Sequence, residues 1–264
     1  MRCLDHAAIV RELAVHATPL QVEVVEHIDS TNSELLRRNP DSGVHRLLLV
    51  AECQTAGRGR RGRQWRSIVG GSLTFSLGWR FEQGAGFLSG LPLAVGVAIV
   101  QALDACGCAD VGLKWPNDLV HGRRKVGGIL VELAGDALGP SLVVVGVGIN
   151  VRLPEAVRED IAQPVTDLTA ICGNVDRNVL IARIGAAIAH ALERYACDGF
   201  AVFREQWQRR HALSRETVDV LLPDGSVVRG DVAGVDVDGA LLLDSGGQRL
   251  RFVNGEVSLR GAAP

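Results

Sequence analysis

Ten residues, Gly57-Arg58-Gly59-Arg60-Arg61-Gly62-Arg63-Gln64-Trp65-Arg66, hold five arginines and three glycines. Guanidinium forks clamp phosphate or carboxylate through paired hydrogen bonds, and glycines let backbone amides approach the same anion. The run lacks the G-x-x-x-x-G-K-[ST] order of a Walker loop, so it is an anion grip of another kind. A second group, Lys114-Trp115-Pro116-Asn117-Asp118, sets a cation beside two oxygen ligands. Asn117 and Asp118 suit Mg²⁺, which takes few carboxylates and keeps its substrate phosphates. In a third, Lys125-Val126-Gly127-Gly128-Ile129-Leu130-Val131-Glu132, the glycines leave room for a ligand against a strand. In a fourth, Val144-Val145-Gly146-Val147-Gly148-Ile149-Asn150, Gly146 and Gly148 fall on one side of a strand and open a slot. The third glycine and following helix of a dinucleotide fingerprint are missing, which excludes NAD binding.

Lysine usage sharpens this reading. Of 28 Lys and Arg residues only Lys114 and Lys125 are lysine, leaving 28 − 2 = 26 arginines. Coding bias explains the scarcity but not why both survivors stand eleven positions apart in one segment. Lysine is a compact ammonium on a flexible stem that can follow a moving charge, where arginine is a planar fork. Each motif also has a plainer explanation: a solvated arginine loop, a sequence-independent phosphate contact to nucleic acid, a strand-end turn, a bulge. Against these, the loop joins two apolar strands and carries Trp65, which is costly to leave in water. The four groups together ask for a substrate with two anionic parts, a slim apolar body and a magnesium ion. A carboxylate activated by ATP fits: it attacks the α-phosphate, pyrophosphate leaves, and arginine, lysine and Mg²⁺ neutralise the developing charge.

The elements that must position these groups are legible. Residues 4–16 suggest a short amphipathic helix burying Leu4, Ile9, Leu13 and Val15. Gln21 to Ile28 has strand character, and Thr31 with Glu34 fits a capping box opening a helix. Strands are expected over 46–53, 72–79, 111–115, 119–121, 125–133 and 142–151, with a mostly apolar helix at 87–105. A long helix capped by Asp176 runs to Tyr195 and a second follows to about His211. Between 216 and 259, five valine- and leucine-rich runs broken by Pro223-Asp224-Gly225, Asp238-Gly239, Gly246-Gly247 and Asn254-Gly255 read as a small antiparallel barrel. The expected class is α+β: a mixed-sheet domain over 1–213 and an all-β domain over 214–264.

Composition sets the outer bounds. The chain has 264 residues, 47% hydrophobic and 22% charged, with a net charge of −2, which excludes disordered, fibrous and wholesale basic classes. No apolar run is read as long enough to span a bilayer, and the N-terminus carries charges through its apolar part, unlike a secretory signal. Six scattered cysteines point to reduced structural thiols in a cytoplasmic protein.

Ser30-Thr31-Asn32, the segment from Gln54 to Trp65, Lys114 to Asp118, Lys125 to Ile129 and Gly146 to Asn150 resemble the biotin–protein ligase family in order and spacing. The resemblance extends to Gly255-Glu256-Val257-Ser258-Leu259-Arg260. It implies ATP-dependent formation of biotinyl-5′-AMP, then transfer of biotin to a lysine of the biotin carboxyl carrier protein of acetyl-CoA carboxylase. It further implies a catalytic domain similar to class II aminoacyl-tRNA synthetases and lipoate ligases, and a C-terminal SH3-like barrel. By position, Ser30, Thr31, Asn32, Gln54, Gly57, Gly128, Gly146 and Gly148 would bind biotin. Arg58, Arg60 and Lys125 would be catalytic and touch both substrates. Arg61, Arg63, Trp65, Lys114, Asn117, Asn150 and Arg260 would surround the nucleotide, and Asn117 and Asp118 the metal. About twenty residues precede the core, which implies a monofunctional ligase, monomer or homodimer, without specific nucleic-acid or membrane binding. The rival readings are a lipoate or octanoate ligase and a phosphate-contacting nucleic-acid module.

Like charges clustered between 58 and 63 repel until an anion arrives, so the loop is expected to order on binding. Proteolysis at Arg58–Arg63 should slow when biotin and ATP are both added; an unchanged cleavage rate would contradict this.

Overall fold

The computed structural model describes residues 3–38, 43–135, 139–253 and 258–261. In chain order the first part holds α1 (His6–Val15), β1 (Gln21–Ile28), α2 (Thr31–Arg37), β2 (Leu47–Gln54), β3 (Ser72–Phe81) and α3 (Leu91–Ala105). Then come β4 (Gly112–Lys114), β5 (Asp118–His121), β6 (Arg124–Gly135), β7 (Ser141–Asn150), α4 (Glu155–Glu159), α5 (Leu168–Cys172), α6 (Arg177–Asp198) and α7 (Ala201–Arg210). The remainder is β8 (Thr217–Leu221), β9 (Val227–Val235), β10 (Leu241–Ser245), β11 (Gln248–Phe252) and β12 (Ser258–Gly261).

The first seven strands form one sheet in the order β1-β2-β3-β7-β6-β5-β4. Strands β1 and β2 run parallel and every other neighbour pair is antiparallel, so the sheet is mixed as expected. Its two faces differ because side chains alternate along a strand. Leu73, Phe75, Leu77, Trp79 and Phe81 of β3 and Val143, Val145, Val147 and Ile149 of β7 join one core under the helices. The other face carries Ser72, Thr74 and Ser76 from β3 and Gly146 and Gly148 from β7. At one end of that face Leu35 of α2 packs with Val44, Leu47, Leu49, Leu142 and Val144 in a small second core. The rest is left for a cleft.

Helix α3 shows why apolar content alone misleads. The stretch Ala85–Ala105 has the length and mean hydropathy (1.9) of a membrane span, contrary to the reading that no run reaches this length, yet it is 72% buried. It is a core helix, packed against α6 and α7. In α1, Ile9 and Leu13 are buried but Val15 is 75% exposed, because a residue two beyond Leu13 lies on the opposite side of a helix. The α2 cap is Ser30, whose hydroxyl accepts from Ser33 N, rather than Thr31; Glu34 instead pairs with Arg37 and Arg38. Asp176 caps α6 as expected.

The reduced-thiol expectation is corrected at one pair. Cys108 and Cys172 form a disulfide across 64 residues, while Cys3, Cys53, Cys106 and Cys197 are free. Their Cα atoms lie 5.1 Å apart, within disulfide reach, a proximity that only the folded chain creates.

The last five strands form an antiparallel sheet in the order β11-β10-β9-β8-β12. Its Val218, Val220, Val232, Val235, Leu241 and Leu243 join the main core. One further contact ties it to the first sheet, and a second ties the chain just before β8 to β4. Trp115 Nε1 donates to Gly239 O at 3.1 Å, and Ala212 N donates to Leu113 O at 2.8 Å. The Trp115–Pro116 bond is cis. His211 at this joint is 6% exposed and stacks on Trp207 with ring centres 4.5 Å apart. Burial, and secondly the charge of Lys114, push His211 down to about 4.

The unfolded chain therefore binds a proton at His211 more readily than the folded one. That contribution to stability is full above pH 6.5 and is lost as pH falls toward 4, by up to about 3 kcal/mol. His211→Phe should flatten the decline of the urea midpoint between pH 7 and 4.5; parallel curves for both proteins would contradict this.

Candidate functional site

A cleft of about 880 Å³ opens on the face of the mixed sheet that carries α2, opposite the main core. Its floor is two rows of residues in register. One runs Gly148, Gly128 and Asp118 across β7, β6 and β5, continued by buried Thr74 of β3; the next runs Gly146 and Leu130, continued by buried Ser76. The two glycines of β7 do more than open empty space. A Cβ on Gly146 would stand 2.2 Å from Asn32 Oδ1, and one on Gly148 would stand 2.4 Å from Trp65 Cε2. The vacated volume thus admits the Asn32 amide at one end of the floor and the Trp65 indole at the other.

Lys125 reaches this floor through a bulge. Regular alternation would place residue 125 on the same face as Ile129, in the core. Between Leu119 and Val120 the β5–β6 register shifts, so that Leu119 faces Gly127 and Val120 faces Lys125. A bulge re-aims the side chains that precede it. Val126 is consequently the buried residue, and Lys125 Nζ meets Asp118 Oδ1 at 2.6 Å over the Gly128 Cα. The backbone of Lys125 is held from the other side as well. Its N–H donates to Pro164 O at 2.9 Å and its carbonyl accepts from Thr166 N at 2.8 Å.

The arginine loop is a tight hairpin rather than irregular chain. Trp65 N donates to Gly57 O, Gly59 N donates to Arg63 O, and a single helical turn spans Arg60–Gly62 with Arg61 and Gly62 at positive φ. Gly57 lies beneath the cleft wall: its Cβ would meet Trp65 O at 2.4 Å, so no larger residue closes this hairpin. Arg58, Arg60, Arg61, Arg63 and Trp65 all line the cleft, as do Lys114, Asn117, Asp118 and Asn150. Arg60 Nη1 donates to Asn117 Oδ1 at 3.2 Å, and burial pushes the Arg60 guanidinium below its ordinary value, with Asp118 opposing. Arg58 is held by Ser33 Oγ at 3.1 Å and by the Glu132 carboxylate. Asn150 Nδ2 donates to Thr166 O. Arg260 has its backbone in β12 opposite Asp219, and its side chain lies outside the described part of the chain, as does Gly255-Glu256-Val257 of the same terminal motif.

At the opposite end, Ser30, Thr31, Asn32 and Gln54 line the cleft. Thr31 N and Oγ1 both donate to Gln54 Oε1, at 2.8 and 3.0 Å. Two buried donors on residues that line the cleft, Arg60 Nη2 and Trp65 Nε1, have no hydrogen-bond partner. Leaving such a group unpaired costs about 1–3 kcal/mol, so these atoms await a ligand's acceptors.

The metal expectation meets a constraint. Asn117 gives its oxygen to Arg60 and its amide to Ile129 O, which leaves it poorly suited to a cation. Asp118 offers one carboxylate, the donor set Mg²⁺ accepts beside phosphates. Among the described residues no three His, Cys, Asp or Glu side chains gather as a metal cluster.

Sequence reasoning missed two parts. The segment from Leu153 to Val165 walls the cleft, with Arg66 paired to Asp160 across it at 3.0 Å; its short α4 carries no long apolar period to signal it. Glu132 was quoted in a motif but given no role.

Residues 24–150 match the family model described as Biotin/lipoate A/B protein ligase family, and 216–260 match Biotin protein ligase C terminal domain. The chain is 37% identical over 243 residues to the bifunctional ligase/repressor BirA of Escherichia coli (strain K12), covering 91% of this chain and 74% of that one. It is 34% identical to the biotin–[acetyl-CoA-carboxylase] ligase of Mycobacterium tuberculosis (strain ATCC 25618 / H37Rv), covering 90% and 88%. The biotin protein ligase from Aquifex aeolicus in complex with biotin and ATP superposes with a TM-score of 0.78 at 30% identity, over 92% of this chain and 99% of that one.

The glycine geometry is directly testable. Gly146→Ala should cost about 1–3 kcal/mol by overpacking against Asn32. Gly86→Ala, where a Cβ meets nothing within 4 Å, should stay within about 0.5 kcal/mol. Equal urea midpoints for the two variants would contradict the assignment.

Proposed function

The chain belongs to the biotin–protein ligase family, and from that premise we propose how its cleft performs the family's reaction. Biotin and ATP give biotinyl-5′-adenylate and pyrophosphate; a lysine of the biotin carboxyl carrier protein then attacks the adenylate and releases AMP. The proposal assigns the bicyclic head of biotin to the Asn32 end of the floor and its valeryl tail to the path past Gly128 toward Lys125. Ser30, Thr31 and Gln54 hydrogen-bond the head and the start of the tail. The tail's carboxylate then ends beside Lys125.

Trp65, Asn117, Asn150 and the 153–165 wall enclose adenosine in this reading. Arg60, Arg61, Arg63, Lys114 and Arg260 serve the phosphates. The single observation that carries the assignment is Lys125 Nζ, brought by the bulge onto the floor between the glycine slot and the arginine hairpin. There its ammonium bridges the attacking carboxylate and the α-phosphate, drawing charge off both as the mixed anhydride forms. Asp118 holds the ammonium in place until the substrates arrive. Mg²⁺, carried in with ATP and held by Asp118, would offset the charge of the departing pyrophosphate. The Aquifex aeolicus ligase holds biotin and ATP together, which favours biotin over lipoate as substrate here. Burial of Arg60 within an enclosed cleft argues against a nucleic-acid contact.

The finer architecture belongs to the same reading: a catalytic domain to residue 213 akin to class II aminoacyl-tRNA synthetases, then an SH3-like domain from 214. The five-stranded antiparallel sheet supports the latter. The acceptor is taken to be the carrier protein of acetyl-CoA carboxylase, and the setting the cytoplasm.

Lys125→Arg tests the assignment. A planar fork does not fill the place of a point charge between two anions, so biotin-dependent exchange of pyrophosphate into ATP should fall at least about a hundredfold. Exchange near the wild-type rate would contradict it.

A further inference from the structure

The Asn32 end of the cleft shows an unusual proton balance. Asn32 Oδ1, Ser76 Oγ, Thr31 Oγ1 and Gln54 Oε1 form a row of three oxygen–oxygen contacts at 2.6, 2.6 and 3.0 Å. Only the two hydroxyls bring protons, because amide oxygens only accept. Thr31 N serves Gln54 Oε1 at 2.8 Å, so both hydroxyl protons are spent inside the row, and the row meets a ligand with lone pairs only.

The row has no donor to spare because the Asn32 amide faces one way. Its nitrogen donates to Leu130 O at 3.1 Å and to Glu132 Oε2 at 2.8 Å, which spends both amide protons on β6. Turned over, the amide would offer an N–H to Ser76 and free a hydroxyl proton for the ligand, but its oxygen would confront a carbonyl and a carboxylate. Leu130 O needs only one amide proton. Glu132 takes the second, and its charge makes the reversed amide costly. Gly146 leaves no slack, since Asn32 lies directly on its Cα. Glu132 itself stands outside the cleft wall, with a side chain 22% exposed and its other oxygen on Arg58.

We propose that Glu132 is a positioning residue: it fixes the Asn32 amide with its oxygen toward the slot, so that the slot selects a substrate carrying N–H donors. Biotin's cyclic urea has two such groups, and this inference rests on the reading of the cleft as the biotin slot. Glu132 touches no substrate and acts through Asn32.

The test is steady-state kinetics of biotin-dependent pyrophosphate exchange, with biotin and with an analogue methylated at one urea nitrogen. Glu132→Ala should raise KM for biotin about tenfold, with kcat and KM for ATP within about twofold. It should also shrink the preference for biotin over the methylated analogue. In an Asn32→Ala background Glu132→Ala should add no further effect on the analogue preference. Should Glu132→Ala fold poorly, the isosteric Glu132→Gln leaves one oxygen for two donors and should show a smaller effect of the same kind. An unchanged biotin KM, a uniform loss in all parameters, or additivity with Asn32→Ala would each overturn the proposal. A wild-type protein that exchanges no pyrophosphate with biotin overturns the cleft reading first, and this one with it.

Discussion

Two anions have to touch for this chemistry to begin, and everything in the cleft follows from that constraint. A carboxylate and a phosphate 4 Å apart repel by about 4 kcal/mol at the effective dielectric of a partly buried site. The chain answers with one ammonium at the meeting point and guanidiniums around the phosphate tail. Before substrate arrives the ammonium needs a counter-charge, which Asp118 supplies. An ammonium held by one carboxylate can be shared with an incoming anion without leaving its place, because lysine offers three donors.

The fold's contribution is to make one face of a sheet habitable. Three antiparallel strands present small residues in register, so backbone lies where side chains would otherwise stand. The opposite face of the same strands is a wall of valine, leucine and phenylalanine under α3 and α6. That core gives the floor its rigidity, and preorganised donors act best on a rigid floor. The C-terminal sheet is tied into the same arrangement through Trp115, whose neighbours Lys114 and Asn117 face the cleft. One motif therefore serves both the site and the joint between sheets.

Much of this was legible in the residues, for local reasons. The strand character of 21–28 matches β1 at Gln21–Ile28. The turns at Pro223-Asp224-Gly225, Asp238-Gly239 and Gly246-Gly247 separate β8 to β11, while Asn254-Gly255 lies outside the described residues. The spacing of Gly146 and Gly148 announced a slot. What filled the slot was not legible, since Asn32 and Trp65 reach it from more than eighty residues away in sequence. Nor was the bulge at Val126, without which Lys125 would face the core. Cys108 and Cys172 gave no sign of pairing, because a disulfide depends on distance in the fold. Glu132 read as an ordinary strand residue; its role lies in which amide it holds. Asn117, expected at a metal, was already taken by Arg60.

The most direct measurement is a crystal structure with biotin and a non-hydrolysable ATP analogue bound together. The account predicts the biotin carboxylate about 3–3.5 Å from the α-phosphorus, a near-attack distance, with Lys125 Nζ in contact with both. Ligands lying in separate sites, or Lys125 contacting neither of them, would contradict it.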